Sequence, residues 1–199
     1  EHGNQCLVEA ARLLDIPAVS YAGDPADLIG RYTFVASCFD ADTIVRVPAD
    51  NPCVDPDEIN KILGFYKYIG ENFENFENWL FSNLDGNIAG NGYPGGLGAE
   101  VYSAEFMFWL NKNVKDPRLR EHPHMWAFER QRVATVAAHR EIARPELRFD
   151  VNTQAEFDYI KNIYEAIYYK NPNFRTRDVL GYLDGDSDIA GHIFVSHRG

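Results

Sequence analysis

The sequence has few cysteines, a shortage of positive charge and no long apolar run, and each shortage removes a class of protein. Its three cysteines, Cys6, Cys38 and Cys53, are odd in number, lie far apart and form no CxxC pair. Neither a disulfide framework nor a zinc site is therefore expected, and a reducing cytoplasm fits this usage best. Nineteen Lys and Arg against thirty Asp and Glu leave a formal charge of −11. That argues against a nucleic-acid partner, because phosphate backbones need a basic surface. A single small nucleotide remains within reach of a few local cations and a metal ion. No segment approaches the roughly eighteen apolar residues that span a bilayer, and the first residues lack the basic and apolar regions of a signal peptide, so no membrane partner is expected. The sequence opens at Glu1 without a methionine, which suggests a processed, truncated or partly represented chain.

What is present suits a single α/β domain over residues 1–199, with 45% hydrophobic and 14% aromatic residues to fill one core. Residues 4–14 place Leu7, Ala10, Ala11 and Leu14 at helical spacing, and Ile16–Tyr21 reads as a short strand. Asp24-Pro25 is a helix-start signal for a helix reaching Cys38, and the apolar strand Thr43–Val47 follows. Asp55-Pro56 starts another helix in the same way. Trp79–Asn83 and Glu100–Tyr102 are expected strands, with a helix over Ala104–Asn111 after the second. Between them, Asp85 to Gly98 holds six glycines and a proline, a loop composition. Leu147–Val151 alternates like a strand, and Gln154–Tyr169 carries Phe157, Ile160, Ile163, Tyr164 and Ile167 at helical spacing. Strand, turn and capped helix place Asp50 beyond the carboxyl end of a strand, where ligands sit in parallel α/β folds.

The run VRVPADNPCVDPDEINKIL around Asp50 closely resembles the strand-loop-helix signature of spore-coat polysaccharide cytidylyltransferases, relatives of the enzymes that activate KDO and acylneuraminate. Four further pieces keep the family's order: Gly23–Tyr32, Phe81–Asn83, Tyr93–Val101, and Arg120-Glu-His122 ahead of Val151-Asn-Thr153. The resemblance implies a Rossmann-like, mostly parallel sheet flanked by helices, with about 84–140 forming an acceptor-side and dimerisation segment. It implies a homodimer that transfers CMP from CTP to a sugar, sugar acid or related small acceptor with Mg²⁺ and releases pyrophosphate. The same chemistry with GTP or UTP and a sugar phosphate, or a non-catalytic nucleotide- or partner-binding homologue, stands as the alternative.

Within that resemblance Asp50 matches the family's magnesium ligand. Magnesium is a hard cation that takes one or two protein carboxylates and fills its shell with phosphate and water. The second ligand is expected at Asn152, where the family's Val-Asp-Thr reads Val151-Asn152-Thr153, with Asp150 as its substitute or neighbour. The resemblance implies catalytic roles for Asp50, Glu100, His122 and Arg120, and nucleotide contacts from Arg46, Asn51, Arg31 and Asn83. Acceptor contacts are implied for Glu100 and the Tyr93–Leu97 loop. A family acid two residues before Glu100 is Gly98 here, and the family's opening strand with its glycine-rich phosphate loop precedes the part that the sequence matches.

Structural alternatives accompany each of these residues. Asp50 is also a common turn residue, Asn152-Thr153 a natural helix cap, and Arg31 with Asp27 a possible i, i+4 helix pair. The glycines at 86–98 lack the GxxxxGK[ST] lysine of a phosphate loop. Asp184-Gly-Asp-Ser-Asp188 lacks the Gly and Glu of a calcium loop and reads as an acidic turn. The clusters Phe73-Phe76-Trp79 and Phe106-Phe108-Trp109 read as core or dimer surface.

Overall fold

The computed structural model describes residues 5–76, 79–84 and 90–185. The amphipathic helix expected at the start is α1 (Gln5–Leu13), which buries none of its residues. The strand expected at Ile16–Tyr21 does not form. The segment finds no strand to pair with among the described residues, and Pro17 has no N–H to give. Tyr21 instead closes over α2 (Leu28–Cys38), its ring 5.7 Å from Phe34. That helix starts later than Asp24-Pro25 suggests. Asp24 holds a turn through Ala26 N at 2.9 Å, and Asp27 takes the cap by accepting from Gly30 N at 2.9 Å.

Strand β1 (Thr43–Arg46) leads through the Asp50 loop to α3 (Pro56–Asn72), capped by Asp55 with Pro56 in its first turn. Then come β2 (Leu80–Ser82), β3 (Glu100–Ser103) and α4 (Ala104–Asn113). Two short helices, α5 (Pro117–Glu121) and α6 (Pro123–Glu129), precede β4 (Val133–Ala134). The last described elements are α7 (Gln154–Ile167) and α8 (Thr176–Gly185).

The sheet order is β1-β3-β2-β4. Strands β1, β2 and β4 share one direction, as a parallel α/β scheme requires, while β3 lies antiparallel between β1 and β2. The sheet is thus mixed, and α/β in class. Alternation along the strands sends Leu80 and Tyr102 to one face, against Ile29 of α2 and Phe106, Met107 and Leu110 of α4. Phe81 and Val101 go to the other face, against Ile62 and Ile69 of α3. A third cluster joins Tyr93, Leu97, Leu147 and Phe149 to α7 and α8.

Residues 147–151 alternate as expected, with Leu147 and Phe149 buried, yet among the described residues they form a single bridge, Arg148 to Gly95, and no strand. Their neighbour is the glycine loop, which turns away after Gly96, φ +86°, so the ladder ends there. Of the aromatic clusters, Phe106 is core and Phe76 packs on Trp79 and Phe81. Phe108 and Trp109 remain partly exposed. The acidic turn at 184–188 lies mostly outside the described residues.

Candidate functional site

Because β3 is antiparallel to its neighbours, its first residue meets the last residues of β1 and β2. Glu100 pairs in register with Arg46 on one side and Ser82 on the other. The loops after β1 and β2 and the loop before β3 therefore converge at one end of the sheet. The segment 149–152 joins them there. Phe149 N donates to Gly95 O at 2.9 Å, and Val151 N donates to Asp50 O at 2.8 Å.

That last bond brings the two halves of the expected metal site to one place. Asp50 is exposed, and its carboxylate makes no hydrogen bond or ion pair among the described residues. The loop is closed by backbone bonds from Asn51 N to Pro48 O and from Val151 N to Asp50 O, so Asp50's side chain is not a cap. Across from it, Asp150 is held on both oxygens by Arg148, Nε to Oδ1 and Nη2 to Oδ2 at 2.8 Å each. Burial works against its charge, but Arg148's bonds win and hold its pKa below the ordinary value. Asn152 Nδ2 donates to Asp150 Oδ2 at 2.8 Å, which leaves its carbonyl oxygen as the side-chain atom fit to ligate a cation. The helix cap falls one residue on. Thr153 caps α7 with a capping box, and Glu156 Oε2 accepts from the N–H groups of both Asn152 and Thr153.

Among the described residues no set of three His, Cys, Asp or Glu side chains surrounds a cation position. The donors present, a free carboxylate and an amide oxygen, suit a hard ion that draws its remaining ligands from phosphate and water. Gly96 shapes this corner, because a Cβ there would come within 2.9 Å of Asp150 N and 3.4 Å of Asn51 Oδ1. Asn51 itself is buried beside it.

A second set surrounds Glu100, which is 3% exposed. Its Oε2 accepts from Arg46 Nη1 at 2.8 Å and from Tyr102 OH at 2.8 Å, and Arg46 Nε donates to Tyr32 OH at 3.0 Å. Burial opposes Arg46's charge, yet Glu100 and the two tyrosines outweigh it and raise its pKa. Burial, reinforced by Glu100, pushes Tyr102 well above the usual tyrosine range. His124 Nδ1 lies 3.6 Å from Glu100 Oε1, and the exposed His122 ring is 5.7 Å from that of His124.

Other sequence-expected site residues are engaged elsewhere. Arg120 ties α5 to its neighbours, donating to Asp27 Oδ2 at 2.7 Å, Asn111 Oδ1 at 2.8 Å and Val114 O at 3.0 Å. Asp27 thus pairs with Arg120, and the helix pair expected between Asp27 and Arg31 does not form. Arg31 is exposed and donates to Pro25 O. Asn83 is wholly buried, its amide donating to Glu58 O at 2.8 Å and accepting from Ala99 N at 3.0 Å.

The expected acceptor loop is interior as well, since every residue from Tyr93 to Glu100 is buried. Tyr93 OH donates to Glu58 and accepts from Lys61 Nζ, pinning the loop to α3. Gly98 lies against Asn83, whose backbone and side-chain oxygens a Cβ would strike, so the family's acid cannot stand there. A cleft of about 620 Å³ opens at the opposite end of the sheet, against Tyr66, Phe73, Phe81 and Ser103, but it holds none of these groups. Sequence reasoning missed Tyr32, Tyr102 and His124. The His-Pro-His spacing at 122–124 was the available signal for the last, since Pro123 sets His124 in the first turn of α6.

Comparison with known proteins agrees at the level of fold. The chain is similar to a solved structure of a cytidylyltransferase from Leptospira borgpetersenii serovar Hardjo-bovis (strain JB197), with a TM-score of 0.81 and 18% identity over 99% of this chain and 78% of that one. No protein-family profile and no curated protein matches the sequence.

Proposed function

We propose that this protein is a Mg²⁺-dependent nucleotidyltransferase that joins CMP from CTP to a small sugar-like acceptor and releases pyrophosphate. One observation carries the reading. An exposed, unengaged carboxylate, Asp50, stands at the carboxyl end of β1, and its own backbone is bonded to the segment that bears Asp150 and Asn152. Asp50 and the Asn152 carbonyl would hold the ion, with Asp150 beside them. When bound, the ion neutralises triphosphate charge and orients the α-phosphate for in-line attack. The chain's own part is to hold these oxygens on a sheet end fixed by Arg46–Glu100 and by the buried 93–100 loop. The cytidylyltransferase fold supports the choice of CTP, and the resemblance in sequence supports a homodimer.

Pyrophosphate release by the full-length protein tests the reading, with CTP set beside GTP and UTP and a panel of sugars, sugar acids and sugar phosphates. Mg²⁺-dependent release with CTP, lost in Asp50→Ala, is expected. Release that Asp50→Ala leaves unchanged removes the metal role, and preference for GTP or UTP replaces the nucleotide. A second reading, nucleotide binding without turnover, draws on Arg148 holding both oxygens of Asp150. It predicts thermal stabilisation by CTP with no pyrophosphate from any acceptor.

A further inference from the structure

His124 stands in the first turn of α6, beside a carboxylate that is already partly neutralised. Its Nδ1 is buried and has no hydrogen-bond partner. Glu100 Oε1 is 3.6 Å away, within ion-pair range but longer than a hydrogen bond. The histidine side chain keeps 26% exposure, and because Nδ1 is buried, that exposure belongs to its other atoms. The far oxygen of Glu100 is held by Arg46 and Tyr102, so Oε1 is the one turned to the imidazole. This is the arrangement of a base held by a second group: one ring nitrogen set toward a carboxylate, on a side chain that stays partly open to the outside.

Resting on the nucleotidyltransferase reading, we propose that His124 is the general base for an uncharged acceptor hydroxyl, with Glu100 as the positioning residue that favours the Nδ1–H tautomer. His124 Nε2 takes the hydroxyl proton as the acceptor oxygen bonds to the α-phosphorus. The bond from that phosphorus to the bridging oxygen breaks, and pyrophosphate leaves with the electron pair. Glu100 offsets the imidazolium charge, and Arg46 and Tyr102, bonded to its other oxygen, hold it in place. Burial lowers the His124 pKa, Glu100 opposes this, and Arg46 and His122 add to the lowering. These are the charged and titratable groups facing the ring from β1, β3 and the turn before α6, and Phe128 of α6 completes its surroundings with an edge contact at 5.9 Å. The ring is therefore neutral near pH 7 and able to accept a proton.

The same surroundings favour a hydroxyl over a phosphate nucleophile. A phosphate is already ionised and needs cations, whereas Arg46, Arg120 and Arg148 are each held by a carboxylate, of Glu100, Asp27 and Asp150. A neutral hydroxyl needs a base instead. His122, the histidine that the resemblance singles out, is exposed and pairs with no carboxylate among the described residues.

The test is pyrophosphate release by the full-length protein from CTP, with neutral sugars and polyols set beside sugar phosphates, measured across pH. Release should require a neutral acceptor, and kcat/KM should fall on the acid side with an apparent pKa below the ordinary 6.5 of histidine. His124→Gln should lower kcat about 10²–10⁴-fold, abolish that acid limb and leave CTP affinity, read by calorimetry, unchanged. An active protein whose His124→Gln variant keeps its rate or its acid limb, or one that accepts only sugar phosphates, overturns the base assignment and leaves the nucleotidyltransferase reading standing. A wild type that releases no pyrophosphate with any acceptor overturns both. Should His124→Gln fail to fold, the His124 ring titration followed by NMR in the wild type decides. It must coincide with the acid limb of kcat/KM, and a mismatch overturns the assignment.

Discussion

Arg46 and Glu100 face each other in register across β1 and β3, joined at 2.8 Å with side chains only 13% and 3% exposed. A buried ion pair of this kind is not a source of net stability, but breaking it from one side leaves a buried charge without its counter-ion. Arg46→Met is therefore expected to lower unfolding stability by about 3–5 kcal/mol. The double variant Arg46→Met/Glu100→Gln should recover much of that loss, because neither remaining group is charged. Urea titrations of the wild type, both single variants and the double variant give the coupling. A single-variant loss close to zero would mean that water reaches Glu100.

Gly98 is fixed by what lies against it. The carbonyl and side-chain oxygens of Asn83 occupy the space that a Cβ would need, because Ala99 N donates to Asn83 Oδ1 at 3.0 Å and Asn83 N donates to Ala99 O at 3.2 Å. Gly98→Ala should lower the melting midpoint, at an overpacking cost of about 1–3 kcal/mol. Asn83→Ala should not rescue it, since the backbone carbonyl stays in place. Rescue would mean that the side chain alone excludes the methyl.

These two pairs also mark what the sequence could and could not disclose. Helices α1, α3, α4 and α7 were legible because periodicity and caps are local properties, and Asp55-Pro56 and Thr153-x-x-Glu156 announce their own starts. Strands β1, β2 and β3 were legible as apolar runs. Their direction was not, because antiparallel insertion of β3 between β1 and β2 depends on pairing between distant segments. Ile16–Tyr21 misled for the same reason: a strand-like pattern becomes a strand only beside a partner. In the site, the resemblance linked Asp50 with Asp150 and Asn152, whose segments meet through the bond from Val151 N to Asp50 O, whereas motif matching could not tell that Arg120 and Asn83 bond within the fold. Nor could it show that Asp27 prefers Arg120, 93 residues away, to Arg31.

The two aspartates at the sheet end should behave differently on removal. Asp50 is exposed and tied by its backbone carbonyl, so Asp50→Ala should change stability by less than about 0.5 kcal/mol. Mg²⁺-dependent pyrophosphate release and binding of Mn²⁺ with CTP, followed by electron paramagnetic resonance, should both be lost. Asp150→Ala instead strips both bonds from Arg148 and should lower the melting midpoint as well. Equal thermal effects from the two substitutions would contradict this division.

His124 supplies the pH dependence of the fold itself. Its pKa in the folded protein is below the ordinary 6.5, because burial disfavours the imidazolium more than Glu100 favours it. Between the folded value and 6.5 the unfolded chain binds more protons than the folded one, so stability rises with pH across that window. The contribution is complete above 6.5 and is lost as pH falls through the folded value. The slope from this one group can reach about 1.4 kcal/mol per pH unit. Urea midpoints for the wild type and His124→Gln, taken across this range, should diverge above it and converge toward the acid side. Parallel curves would mean that the ring titrates in the folded protein as it does in the unfolded chain, and that Glu100 fully offsets its burial.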